Sequence, residues 1–236
     1  MLLGRDEIMS LFAIADLHLS LSSGKPMDVF TGWEDYLVKL DKNWHNIVFE
    51  NDTVVLPGDI SWAMSLDEAV MDLKYLNALP GRKIILKGNH DYWWTTVRRM
   101  NAFIVENSLD SISILHNTAV TVGGVCVCGT RGWFYDDAEA ADKKVLMREA
   151  GRLETSIAEG EKTGLETVVF LHYPPIYNGS VCIEIMDVLV RHKIKRCYYG
   201  HLHGRATAFA FEGLYEGICF KLISADYLRF SPLAID

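Results

Sequence analysis

Five short apolar runs in this chain each end in a cluster of carboxylate, imidazole or amide side chains, and that repetition narrows the folds open to it. The clusters are Asp16-Leu17-His18, Gly58-Asp59, Gly88-Asn89-His90-Asp91, His172 and Gly200-His201-Leu202-His203. In α/β folds, sites assemble on the loops at the carboxyl ends of strands, so the clusters place the runs on strands that end together. Residues 11–15, 53–56 and 83–86 read as buried strands. Between the first two, Trp33, Tyr36, Leu37, Leu40, Trp44, Ile47 and Val48 recur every three or four positions, as one face of a helix requires. Between the next two, Ser65 and Glu68 form a capping-box pattern at the head of a helix carrying Leu66, Ala69, Val70, Leu73 and Leu76. A further helix is expected after Thr95.

The middle of the chain changes character. Residues 111–130 read as short strands around a Gly123-Gly124 turn, a signal of antiparallel pairing. A mostly polar helix fits 138–159, followed by a strand at 167–171, a helix near 180–191 and a strand at 195–199. Residues 206–224 alternate as two or three more antiparallel strands would. The pattern predicts a mixed α/β system, two sheets face to face with helices outside. No linker or low-complexity tract divides it, so a single domain over 1–236 is expected, with 1–9 a dispensable extension.

Composition removes several function classes. With 31 acidic against 23 basic residues the formal net charge is −8, so the chain lacks the broad cationic stripe that holds long nucleic acid or anionic lipid. Five Cys without a C-x-x-C pair argue against a disulfide or zinc-ribbon framework. No stretch reaches the roughly 18 apolar residues of a membrane span. The first apolar run is broken by Asp16 and His18, which a signal-peptide core would not carry. A soluble, cytoplasmic protein without a membrane partner is the expectation; nothing in the pattern sets an oligomeric state.

The clusters also carry the chemistry. In Asp-x-His and His-x-His, residues two apart on a strand project from one face and, just past its end, can grip one ion or two adjacent ones. Seven candidate ligands exceed one tetrahedral zinc but suit two ions sharing a carboxylate. The donors are imidazole, carboxylate and amide oxygen without thiolate, a set that suits Mn, Fe, Co or Zn. Two such ions lower the pKa of a shared water from about 15.7 towards about 7 and clamp a phosphoryl group for in-line attack.

The order D-x-H, G-D, G-N-H-D, H, G-H-x-H resembles the calcineurin-like metallophosphoesterase family, and the motifs run from Asp16 to His203. The resemblance implies a four-layer αββα sandwich. It also implies that Asp16, His18 and His203 hold a first ion, that Asp59 bridges, and that Asn89, His172 and His201 complete a second. His90 then stays off the metals as general acid or charge stabiliser, with Asp91 orienting it. The implied activity is hydrolysis of a small phosphomonoester or phosphodiester. Gly58-Asp59 is followed by Ile60-Ser61-Trp62, and the third motif ends in Asp91 where phosphoprotein phosphatases end in Glu, so that branch is disfavoured. Asp16-Leu17-His18-Leu19 leaves a nucleotide-type pyrophosphohydrolase or a nuclease as alternatives. A non-catalytic metal-binding scaffold is the alternative of another class.

Candidates for substrate contact are Tyr92, Trp133 and Tyr173, whose rings suit an aryl or nucleobase group, and Arg131 and Arg205, whose guanidinium groups suit phosphate. His45, His116 and His192 have no ligand-spaced neighbour and read as structural.

Overall fold

The computed structural model describes residues 9–133 and 140–235. The expected extension up to residue 8, residues 134–137 of the aromatic loop and the expected helix start at 138 lie outside the described residues. In chain order the elements are β1 Leu11–Ala13, α1 Tyr36–Ile47, β2 Thr53–Pro57, α2 Leu66–Ala78, β3 Arg82–Leu86, α3 Val97–Glu106 and β4 Ile112–Ile114. There follow β5 Val120–Val122, β6 Val125–Thr130, α4 Ala140–Glu161, β7 Glu166–Leu171, β8 Ile176–Tyr177, β9 Ser180–Val181 and α5 Ile183–Arg191. The chain closes with β10 Arg196–Tyr199, a 3-10 turn Gly204–Phe209, β11 Gly213–Tyr215, β12 Ile218–Leu222 and β13 Leu233–Ala234.

Two large sheets result. The first is five-stranded in the order β13-β1-β2-β3-β4, parallel except for β13. The second is six-stranded in the order β11-β12-β10-β7-β6-β5, parallel through its four central strands and antiparallel at both edges. Strand periodicity then sorts the side chains into layers. Ala13, Ala15, Val55, Ile84 and Leu86 of the first sheet pack against Val127, Val168, Phe170 and Ile223 of the second. The alternate residues Ile14, Val54, Leu56 and Ile85 meet Leu40 and Trp44 of α1, Leu73 and Leu76 of α2 and Phe103 of α3. On the far side Cys126, Cys128, Val169, Cys197 and Phe220 meet Leu146, Leu153 and Ile157 of α4 and Ile185 and Leu189 of α5. This is the αββα sandwich, and it explains why the central strands are apolar throughout: both of their faces are covered.

Phe170 sits at the centre of the inter-sheet layer, fully buried and stacked on Tyr198 with centroids 5.3 Å apart. Phe170→Ala is expected to cost about 3–5 kcal/mol in urea unfolding, with the cavity confined between the sheets.

Local signals predict the elements well and their partners less well. The β5–β6 hairpin forms across Gly123 and Gly124 as expected. The tail, however, yields one antiparallel pair only: β11 and β12 join through Glu216 and Gly217, both at positive φ, while β12 runs parallel to β10. Likewise β4, expected in an antiparallel set, adds parallel to β3. The first two residues of the expected helix at 180–191 are instead β9. Trp33 stands ahead of α1 instead of on it, bonded through its N–H to Phe30 O at 3.0 Å.

The two sheets are stitched together where the site lies. Ala15 N donates to Ile223 O at 2.8 Å and Ala225 N to Ala15 O at 2.9 Å, joining the carboxyl ends of β1 and β12 across the layers. Asp16 N, His18 N and Leu19 N continue onto Gly58 O, Asp59 O and Ile60 O. The loops after β1, β2, β3, β7 and β10 thereby share one edge.

Candidate metal centre

Four of the residues on this edge adopt left-handed backbone: Asp16 (φ 61°), His18 (φ 46°), Asp59 (φ 51°) and His201 (φ 73°). Such strain in non-glycine residues persists only where surrounding contacts enforce it, and it concentrates at functional sites. Glycine makes the approach possible at Gly88, where a Cβ would collide with the Asp59 carboxylate and backbone N, and at Gly200, where it would lie 2.6 Å from Ala15 Cβ.

The side chains form two groups whose ligand atoms lie within 4.8 Å of one another: Asp16, His18 and His203, and Asp59, His172 and His201. In the first, His18 Nε2 and His203 Nε2 face each other at 3.2 Å, and Asp16 Oδ1 is 3.6 Å from His203 Nε2. In the second, Asn89 Oδ1 lies 2.5 Å from His172 Nε2 and 3.0 Å from His201 Nδ1. Asp59 Oδ2 stands between the groups, 3.7 Å from His18 Nε2 and 3.5 Å from His172 Nε2. The seven residues expected to hold metal are thus brought together.

The residues fit a pair of divalent ions. Asp16 Oδ1 is fully buried yet has no hydrogen-bond partner, and two imidazole nitrogens point at each other, an arrangement that a cation between them resolves. The donor set holds nitrogen and oxygen only. Outer contacts set the rings: His172 Nδ1 lies 3.1 Å from Pro57 O, and His203 Nδ1 lies 3.0 Å from Asp226 Oδ1. Asp226 also accepts Gly204 N at 2.8 Å. A carboxylate behind a ligating histidine fixes its ring and raises its basicity. Asp226 escapes sequence reasoning; its one signal is its position just past a sixth apolar run, 218–223.

Charge is tightly coupled here. Burial raises the Asp16 pKa, but the imidazoles of His203, His172 and His18 outweigh it and hold the carboxyl below its ordinary range. Burial, with Asp91 and Asp16 nearby, pushes Asp59 well above its ordinary value. Burial takes His172 down to about 3 and, with His203 beside it, holds His18 well below its usual value. His203 goes the other way: burial opposes the charge, yet Asp16 and Asp226 carry it up to about 10. At pH 7 the metal-free His203 is therefore protonated, and ion binding must expel that proton. Titrating metal into the metal-free chain in weak buffer is expected to release about one proton per chain from this group. The apparent affinity should rise about tenfold per pH unit below that pKa, and Asp226→Asn should flatten the dependence.

His90 stands outside both groups. Its backbone N donates to Asp59 Oδ1 at 2.8 Å, its ring packs on Trp62 at 4.4 Å, and its buried Nδ1 has no partner. Burial, partly offset by Asp16, holds its pKa below the ordinary value. Asp91 does not reach it, which corrects the expected orienting contact. Asp91 Oδ2 accepts Asp59 N at 2.9 Å and Gly88 N at 2.7 Å; Oδ1 accepts Ile60 N at 2.9 Å, Ser61 N at 3.3 Å and Trp93 Nε1 at 3.0 Å. It ties the loop after β2 to the loop after β3.

Of the expected substrate contacts, Tyr92 is exposed with its ring 6.0 Å from His90, and Tyr173 lies 4.4 Å from His201. Trp133 packs on Tyr173 at 5.3 Å, with the Arg131 guanidinium 4.8 Å over its ring. Arg205 is exposed on the 3-10 turn and pairs with no acid among the described residues. Two further aromatics border the other ligand group: Trp62 stacks on His18 at 4.8 Å, and Trp33 lies 5.9 Å from His18 and 5.7 Å from His203.

An αββα sandwich carrying two adjoining Asp/His groups at one strand edge offers a centre for two metal ions. The family model for calcineurin-like phosphoesterase matches residues 9–205, and the chain belongs to that family. It is a metal-dependent phosphoesterase with sites for two divalent ions. Among solved structures, TT1561 of Thermus thermophilus is similar at 16% identity and a TM-score of 0.55, covering 83% of each chain. Phosphopantetheinyl hydrolase (PptH) from Mycobacterium tuberculosis is similar at 16% identity and a TM-score of 0.51, over 96% of this chain and 95% of that one. Both similarities show the fold. No curated protein matches the chain. No helix among the described residues is long and apolar enough to cross a membrane.

Proposed function

We propose that the chain hydrolyses a small phosphate monoester or diester with a planar or apolar leaving group. The observation that carries this is the place of Asp59 Oδ2 between the two groups, with His90 held beside them by Asp59 Oδ1 and left unpartnered at Nδ1. Asp16, His18 and His203 would hold one ion and Asn89, His172 and His201 the other, with Asp59 placed to serve both. When bound, the ions supply an activated water and neutralise charge on the phosphoryl oxygens.

The chain's own part is positioning and proton transfer. Asp91 locks Asp59 and Gly88, which sets the spacing between the loops. His90 serves the leaving oxygen as general acid or, from its neutral ring, as hydrogen-bond donor that stabilises the developing charge, a task typically contributing about 10²- to 10⁴-fold. Beside it opens a cavity of about 410 Å³ whose walls are Met27, Phe30, Trp33 and Trp62 and whose base is His18, His90 and His203. Rigid rings next to a charged base suit an aryl or nucleobase leaving group.

The test is hydrolysis of a chromogenic aryl phosphate and its diester after reconstitution with Mn, Fe, Co, Ni or Zn. Turnover of at least one ester, faster than that of a small alkyl phosphate, is expected. Inactivity towards both esters with all five metals overturns the proposal.

A further inference from the structure

A second cavity, of about 730 Å³, opens where the ends of β3 and β6 meet the head of α3 and the flank of α4. No step of the proposed reaction uses it. At its wall Glu149 is fully buried, and Glu149 Oε2 accepts the Thr130 hydroxyl at 2.7 Å. Its other oxygen, Oε1, meets Arg152 Nη1 at 2.6 Å, Arg131 Nη2 at 3.9 Å and Arg148 Nε at 4.0 Å. Three guanidinium groups thus converge on one carboxylate, and Lys87 lines the same space. Among the described residues no other carboxylate lies within 4.0 Å of these guanidinium groups.

One carboxylate balances one of these cations; the others repel one another in a partly desolvated place unless a further anion joins them. The head of α3, capped by Thr96, lines the cavity and adds the partial positive charge of a helix start. His116, also in the wall, is held below its ordinary pKa chiefly by burial, with Arg152 adding to the shift and Glu149 opposing it. A monovalent anion would leave most of the excess charge, whereas a phosphate-class polyanion matches it and suits the forked guanidinium donors.

We propose that this cavity is a second anion site, which takes pyrophosphate or the distal phosphate of a doubly phosphorylated substrate. The anion site itself is measurable without metal; its occupation by a substrate's distal phosphate rests on the hydrolytic reading. Inorganic pyrophosphate is titrated calorimetrically into the metal-free full chain at low salt. Saturable binding of one equivalent is expected, weakened about tenfold or more by Arg152→Gln and by Arg148→Gln. The Arg148 side chain is about half exposed, so Arg148→Gln leaves the fold intact. Glu149→Gln, which removes the competing carboxylate, should tighten binding.

The metal-loaded chain separates the two sources. If the occupant is a distal substrate phosphate, Arg148→Gln raises KM for an aryl bisphosphate more than for the monophosphate. If it is a free anion, both KM values stay unchanged while pyrophosphate binding weakens. Absence of saturable binding, or equal affinity in the wild type and both arginine variants, overturns the proposal.

Discussion

His90→Ala is expected to lower kcat by about 10²- to 10⁴-fold while the chain keeps both ions. The ring belongs to neither ligand group, and the bond that holds Asp59 Oδ1 comes from the His90 backbone N, which alanine retains. Its loss therefore removes the proton donor and spares the metal sites. Steady-state kinetics on an aryl phosphate, paired with elemental analysis of the same sample, reads both quantities. Unchanged kcat removes His90 from the chemistry; loss of an ion makes it a ligand or its essential support. An aryl phosphate with a more acidic leaving group should suffer less from the substitution, because it needs less help from a proton donor.

Asp91→Asn is expected to destabilise the fold and disable the site together. The carboxylate accepts five N–H groups while fully buried, and two of them, from Asp59 and Gly88, meet the same oxygen. An amide turns one end into a donor, so either that pair or the set on Oδ1 is left unsatisfied. With about 1–3 kcal/mol for each stranded buried group, the cost is about 2–6 kcal/mol. Urea unfolding of the metal-free variant measures it without any contribution from bound ions. A variant of wild-type stability with a displaced pH–rate profile would instead return Asp91 to an orienting role on His90.

Much of the centre was legible in the sequence because each strand carries its apolar run and its ligand cluster in one short segment. Asp16, His18, Asp59, Asn89, His172, His201 and His203 need only the fold to bring those segments to one edge. What lay hidden depends on contacts made in space. Asp91 acts through five N–H donors, four of them backbone groups, which a sequence does not display. Asp226 is a single carboxylate in a turn, and it gains meaning only because His203 lies 3.0 Å away. The Glu216-Gly217 turn announces the β11–β12 pair, but no local feature reveals that β12 lies parallel to β10. Trp33 keeps the spacing of the helical face, yet the chain turns at Gly32 (φ 93°) and Asp35 (φ 53°) and carries it to the metal centre instead. Arg148 and Arg152 flank Glu149 on α4, but Arg131 joins them only in space, from the loop after β6.

The central claim, that two ions share Asp59, is tested most directly by electron paramagnetic resonance of the chain loaded with Mn(II) at two equivalents. An exchange-coupled spectrum is predicted, collapsing to that of an isolated ion when Asp59 is replaced by Asn. The spectrum of isolated ions in the wild-type chain, or saturation at one equivalent, would contradict the account.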